Sequence, residues 1–235
     1  MIGLVIIGVI LLAAIFADLI VPYEYGTKQV ISDRLQGPSL KHPFGTDDLG
    51  RDLFARVIHG SRSSLALGIA TTAIATVIGG FLGGVCAYYG NRVDNIIMRL
   101  LDVITSIPTT LLSLSIVAAL GAGISNLIIA ITVSRVPTFA RVIRSAVLNI
   151  VNQEYIEAAR AGGSGNLRIM LRHVYPNAMS PIIVQCTMSV SQLILQAAGL
   201  SFLGMGVQPP APEWGALLNS AREFMRTAPY LMVFP

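Results

Sequence analysis

The sequence consists of long apolar stretches without a charged side chain, separated by shorter polar segments. Four charge-free stretches cover residues 1–17, 63–91, 103–134 and 174–212. A helix needs about 20 apolar residues to cross the hydrocarbon core of a bilayer. The third stretch is interrupted by Gly121-Ala122-Gly123, a turn signal that divides it between two helices. The pattern therefore predicts an all-α protein, a polytopic transmembrane helix bundle.

The predicted organisation is a single transmembrane domain over residues 1–235, with five spans and the beginning of a sixth. The first apolar stretch lacks the basic segment that opens a signal peptide, so we interpret it as a span whose lead-in is missing. The last residues turn apolar and then end, which we interpret as a truncated sixth span. The spans are predicted at about residues 2–21, 65–89, 98–120, 124–143 and 178–200, and the sixth starts within 228–235.

The composition supports a membrane protein and excludes several other classes. Apolar residues make up 54% of the chain and charged residues only 12%, whereas soluble domains contain about 25% charged residues. A soluble globule of this composition would expose large apolar patches. An ordinary cytosolic enzyme and a disordered chain are therefore excluded, and the 2 cysteines are too few for a disulfide scaffold.

The surplus of positive charge lies in one part of the chain and predicts its orientation. The segment from Arg92 to Arg172 holds 8 arginines and 4 acidic residues, which accounts for the whole net charge of +4. Cytoplasmic loops of membrane proteins carry such a basic excess. We therefore place the loop at 144–177 in the cytoplasm and the loops at 22–62 and 204–227 outside. Because basic loops explain the charge, we expect no nucleic acid partner.

Four glycines in the second predicted span indicate close helix packing. They form two overlapping G-x-x-x-G pairs, which let another backbone approach closely. The contact could be ordinary packing inside the bundle or a moving interface between subunits. The glycines are Gly79, Gly80, Gly83 and Gly84.

The cytoplasmic loop predicts a helix, a glycine turn, and a second short helix that ends at Pro176. Tyr155, Ala158 and Ala159 are predicted to share one face of the first helix, with Glu157 and Arg160 beside it. Small side chains permit a close approach and the charges supply orientation, so this helix suits a groove on a partner. The alternative is an amphipathic loop that lies at the lipid headgroups.

The same loop resembles a known family. Glu157-Ala158-Ala159, Gly163 six residues after the glutamate, and His173-x-x-Pro176-Asn177 are similar to the EAA loop of ABC importer permeases. The chain is identified as a member of the C-type permeases of the dipeptide, oligopeptide and nickel group, with the type I importer permease (MetI-like) fold. Three further segments resemble that group: Phe44–Leu65, Met98–Pro108 and Leu200–Leu218.

The resemblance implies a non-enzymatic transport subunit in a bacterial or archaeal cytoplasmic (inner) membrane. Its partners would be a second homologous permease, two ATP-binding subunits and an extracytoplasmic substrate-binding protein. No Gly-Lys precedes a Ser or Thr as in a P-loop, so ATP and magnesium are expected on the partner subunits and no cofactor or metal on this chain.

The resemblance also implies roles for particular residues. Trp214 and Glu213 lie on a candidate docking surface for the binding protein, and an interfacial helix anchored by the tryptophan is the alternative. The expected substrates are di- and oligopeptides, with nickel or a metal chelate as the alternative. From other classes, a self-contained channel, a secondary transporter or a purely structural subunit stay open. The ATPase-coupling residues would be Tyr155, Glu157, Ala158, Ala159, Arg160 and Gly163.

Overall fold

The computed structural model describes residues 2–235, and over these residues regular secondary structure is helical apart from one isolated bridge between Thr46 and Asp52. The all-α prediction is therefore confirmed. The helices are α1 (Ile2–Ile15), α2 (Ala17–Ile20), α3 (Tyr23–Thr27), α4 (Leu53–Tyr89), α5 (Asn91–Thr105), α6 (Thr109–Leu120), α7 (Ile124–Val151), α8 (Glu154–Ala161), α9 (Asn166–Ile169), α10 (Tyr175–Phe202), α11 (Trp214–Ala221) and α12 (Tyr230–Val233).

Three helices within residues 2–235 are long and apolar enough to cross a membrane. They are α4, α7 and the continuous helix Asn166–Phe202 that contains α9 and α10. The pair α5 and α6 adds a fourth candidate if it is a single broken span, although the two helices meet at 81°. The helix α1 is apolar but shorter. The five-span topology stays a prediction.

The helix α4 begins at Leu53, twelve residues before the predicted start of the second span. The side chain of Asp52 caps its first turn, since the Ala55 N–H donates to Asp52 Oδ1 over 2.8 Å. The predicted boundary followed the charge of Arg62, but this side chain is paired: it donates to the carbonyl of Ala14 and, over 2.7 Å, to Asp18. The charge of Arg62 therefore does not mark the beginning of the helix.

The predicted helix end at Pro176 is wrong. A π-helical turn at Met170–Val174 precedes this proline, and the Tyr175 N–H donates to the carbonyl of Met170 five residues back. Such a turn shifts the hydrogen-bond register by one residue, and the helix continues through Pro176 into α10. Of the other prolines in predicted spans, Pro137 lies within α7, whereas Pro108 lies in the break between α5 and α6.

The chain forms two compact units. Unit 1 comprises the residues up to Gly68 together with Val117–Leu127 and Ile194–Pro235, and unit 2 comprises Ile69–Ile116 and Ile128–Leu193. Unit 2 has an apolar core that includes Val147, Ile156, Ile169, Met170 and Val174.

Unit 1 contains buried charges in the segment that the sequence analysis predicted to be an extracytoplasmic loop. Arg51 and Arg56 are almost fully buried beside Asp47. The Arg51 Nε donates to Asp47 Oδ2 over 2.6 Å, and Arg56 donates to the carbonyl of Gly26 over 2.9 Å. Buried charges are stable only when paired and hydrogen-bonded, so this network makes the segment before α4 a defined structure.

Candidate functional site

The short helix α8 is held in place by one apolar side chain. Ile156 is 0% exposed and belongs to the unit 2 core, together with residues of α7, of α9 and of the turn before α10. Burying an isoleucine contributes about 1.5–3 kcal/mol. The helix is therefore anchored on the ends of two longer helices and does not hang as a free loop.

The exposed face of α8 carries three of the residues predicted for it. Tyr155, Glu157 and Ala158 are exposed, as expected for a contact surface. Ala159 is half-buried and packs against the core around Ile156. It stands four residues after Tyr155 and three after Ile156, and residues at these spacings are neighbours on a helix, so Ala159 lies at the border between the exposed face and the buried side.

Glu157 presents a carboxylate with no ion pair within residues 2–235. Its side chain is exposed and lies in the first turn of α8, where a negative charge interacts favourably with the helix dipole. Among the described residues, no group of three or more His, Cys, Asp and Glu side chains is arranged to hold a metal ion.

A Schellman motif ends α8 at Gly163. The Gly163 N–H donates to the carbonyl of Arg160 over 3.1 Å, and the Ser164 N–H donates to the carbonyl of Ala159 over 3.1 Å. This pair of bonds requires a left-handed residue, and Gly163 has φ +79°. The glycine at this position therefore sets the direction in which the chain leaves α8 for α9.

Replacing Gly163 by alanine is expected to loosen α8, whereas the same change at Gly162 is expected to be tolerated. No atom lies within 4 Å of the Cβ position at Gly163, so the cost is purely conformational, about 1 kcal/mol. Gly162 has φ −73° and can accept a side chain. Amide hydrogen exchange in α8 should become about fivefold faster in Gly163→Ala. Equal exchange in the two variants would contradict this account of the turn.

Tyr88, near the end of α4, connects the two helices of the loop. The guanidinium of Arg160 lies 5.5 Å from the centre of the Tyr88 ring, within the range of a cation–π interaction. The Tyr88 hydroxyl donates to Asn166 Oδ1 over 2.8 Å. Sequence reasoning missed Tyr88 and Ile156, because neither one stands out from the surrounding aromatic and apolar residues.

The predicted glycine pairs lie at close helix contacts within unit 2. A Cβ at Gly79 would lie 2.6 Å from the Phe139 Cβ, and a Cβ at Gly83 would overlap the carbonyl oxygen of Ala140 in α7. Gly84 lies against the Tyr175 side chain, whose hydroxyl donates to the carbonyl of Gly80 over 3.0 Å. Gly79 and Gly83 therefore meet α7, Gly84 meets α10, and Gly80 lies beside both helices.

Comparison with known families identifies the family of this chain. Residues 75–234 match the family described as the binding-protein-dependent transport system inner membrane component, and residues 1–38 match the N-terminal transmembrane domain of oligopeptide transport permease C. The chain belongs to this permease family. It is therefore a component of an ABC importer and not an enzyme, and its membrane is the inner (cytoplasmic) membrane.

Curated relatives match the permease over nearly its whole length. The dipeptide transport system permease protein DppC of Alkalihalophilus pseudofirmus is 44% identical over 234 residues, which is 100% of this chain and 77% of the relative. The glutathione transport system permease protein GsiD of Escherichia coli is 44% identical over 226 residues, covering 96% of this chain and 75% of the relative.

Solved structures confirm the fold class. The permease is similar to a chain of the inward-facing MetNI methionine ABC transporter, with a TM-score of 0.62 and 20% identity over 76% of this chain and 86% of that chain. A second crystal form of the same transporter has a TM-score of 0.63 and 21% identity, covering 77% and 87% of the two chains. The MetI-like fold expected from the sequence is therefore confirmed.

The predicted docking residues of the permease face inward. Glu213 is 1% exposed and caps α11, accepting hydrogen bonds from the N–H groups of Gly215 and Ala216 at 2.9 Å. Trp214 is half-buried, and its Nε1 donates to the carbonyl of Val57 over 3.0 Å. These contacts explain both residues as structural elements of unit 1. A docking role for them stays a prediction that their burial does not favour.

Proposed function

We propose that this permease forms half of the translocation pathway of an ATP-driven importer for di- and oligopeptides. The named activities of DppC and GsiD support a peptide substrate, since each is 44% identical to this chain over nearly its full length. A second homologous permease would supply the other half of the pathway. An extracytoplasmic binding protein would deliver the peptide.

The coupling to ATP hydrolysis runs through α8 in this proposal. One observation carries it: an exposed face with a free carboxylate stands on a helix that is anchored in the core of unit 2. Two ATP-binding subunits, which hold ATP and magnesium, would receive this face in a groove. A short anchored helix can transmit a displacement, because the packed side chains around Ile156 also belong to longer helices.

In this proposal, ATP acts on the permeases through differential binding to their two arrangements. Closure of the ATPase subunits on ATP would favour one arrangement of the two permeases, and hydrolysis would release it. The exposed surface of α8 is the part of this chain that would experience that closure. The residues assigned to this surface and to the turn that follows it are Tyr155, Glu157, Ala158, Arg160 and Gly163, with the half-buried Ala159 at its border.

Uptake into proteoliposomes tests the function as a whole. The purified four-subunit importer is reconstituted with ATP inside and the loaded binding protein outside, and accumulation of a radiolabelled dipeptide is followed. We expect accumulation that requires ATP and that excess unlabelled dipeptide suppresses. A nickel chelate at the same concentration serves as the matched competitor and is expected to leave uptake unchanged.

Two results would contradict the proposal in different ways. If the labelled dipeptide does not accumulate but a radiolabelled nickel chelate does so with ATP, the peptide substrate is wrong and the importer function stands. Accumulation by this chain alone, driven by an ion gradient without ATP, would overturn the importer and favour a secondary transporter.

A further inference from the structure

The helix α5 has three distinct sides within unit 2. Its inner side carries Leu101, which is buried, and the half-buried Ile97, Met98 and Ile104, which pack in one cluster with residues of α7. At 100° per residue, a second sector of the helix contains Asn95, Arg99 and Arg92, and all three are exposed. The third side is exposed as well, although it is apolar.

The third sector is an uncovered apolar stripe. It consists of Val93, Ile96, Leu100 and Val103, of which Ile96 is 61% and Leu100 is 63% exposed. Their spacing of three and four residues places them within one third of the helix circumference. An exposed apolar stripe on a membrane protein requires a cover of hydrocarbon or of protein.

The charges along α5 indicate whether lipid or protein covers the apolar stripe. Both acidic residues of the helix are neutralised by α7, since Asp94 pairs with Arg144 and Asp102 accepts from Arg141 over 2.8 Å. Arg92 and Arg99 are exposed and have no ion pair within residues 2–235. They stand seven residues apart, about 10 Å along the helix, at the border between the polar sector and the apolar stripe.

The bend after α5 indicates how this helix lies relative to the membrane. The helix α6 is apolar and meets α5 at 81° around Ser106–Pro108. When α6 points into the hydrocarbon, α5 lies nearly parallel to the membrane surface. A helix in that position buries its apolar stripe among acyl chains and extends arginines to the headgroups.

We propose that α5 binds anionic phospholipid, with Arg92 and Arg99 contacting the phosphates and the stripe Val93, Ile96, Leu100 and Val103 contacting the acyl chains. Guanidinium groups form charge-assisted, bidentate hydrogen bonds with phosphate, and the two arginines would serve adjacent headgroups. The proposal concerns lipid only, so it holds whichever substrate the importer carries. A cover provided by the second permease is the competing outcome.

Lipid retention tests the arginines. The assembled importer is purified in detergent, incubated with phosphatidylglycerol or phosphatidylcholine, and the bound lipid is counted by native mass spectrometry. A basic residue near an anionic surface changes affinity about fivefold, so Arg92→Gln with Arg99→Gln should weaken phosphatidylglycerol binding by roughly 25-fold. Arg226→Gln is the control, since Arg226 is also exposed and without an ion pair within the described residues. Unchanged phosphatidylglycerol binding in the double variant overturns the proposal, as does an equal loss of phosphatidylcholine.

A second measurement tests the stripe without changing the arginines. Nitroxide labels are placed singly at Ile96→Cys and at Asn95→Cys in the assembled importer in nanodiscs, with Cys86 and Cys186 replaced by alanine. The label at 96 should be accessible to oxygen and protected from a nickel chelate, and the label at 95 should show the reverse. A label at 96 that neither reagent reaches is covered by protein and overturns the proposal. This result decides the question even if the double arginine variant fails to assemble.

Discussion

Replacing Gly83 by alanine is expected to separate α4 from α7 and to destabilise the permease, whereas the same substitution at Gly80 is expected to be neutral. A Cβ at Gly83 would overlap the carbonyl oxygen of Ala140 and lie 2.9 Å from the Arg144 nitrogen. Both atoms belong to the α7 backbone, which cannot move without moving the whole helix. At Gly80 the added Cβ would lie 3.5 Å from the Ile143 Cδ1, an ordinary contact.

The expected cost at Gly83 is about 3 kcal/mol, the upper end for overpacking. For a chain of this length, that corresponds to a midpoint of thermal unfolding lower by roughly 6–12 °C. The measurement is thermal unfolding of the purified importer in detergent, with Gly80→Ala alongside. If the two variants unfold at the same temperature, α4 and α7 do not pack through Gly83.

Reversing the charge of Glu157 is expected to abolish the stimulation of ATP hydrolysis while leaving the fold intact. The side chain is exposed and has no ion pair in residues 2–235, so Glu157→Lys removes no contact within this chain. Loss of a favourable charge near the helix N-terminus costs only about 0.5 kcal/mol. Any larger effect must therefore arise at a surface that meets another subunit.

Glu154→Lys is the matched control for this prediction. Glu154 lies in the same first turn of α8 and is also exposed, so the cost to the helix is the same. ATP hydrolysis by the assembled importer is measured with and without the loaded binding protein. We expect no stimulation with Glu157→Lys and normal stimulation with Glu154→Lys. An equal loss in both variants would indicate a general charge effect and contradict a specific role for Glu157.

The loop at 144–177 shows how far local sequence signals reach. The helix, the glycine turn and the second helix were predictable because Gly163 and its neighbours are strong local breakers. The partial burial of Ala159 was not, because it depends on the core into which Ile156 packs. The continuation of the helix through Pro176 was not predictable either, because no single residue indicates a π-helical turn.

The segment before α4 shows the opposite limit. The charged residues at 47, 51, 52 and 56 lie in the predicted extracytoplasmic loop, and the structure buries their side chains. A charged group can be buried when it is paired and hydrogen-bonded. Arg51 pairs with Asp47 four residues away, but Arg56 also donates to the carbonyl of Gly26, thirty residues away, and a linear pattern does not reveal that contact. The same limit applies to Glu213, whose carboxylate is used as a helix cap.

The sequence by itself determined the class of this protein. The scarcity of charge required a membrane, the position of the basic surplus predicted its orientation, and the EAA-like loop with three further segments pointed to the permease family. These properties depend on composition and short-range spacing. Only the tertiary structure decided which side of α8 faces outward, how the glycines of α4 meet α7 and α10, and which arginines of α5 and α7 are paired. Each of these depends on contacts between residues far apart in the chain, and such contacts form only when the helices pack.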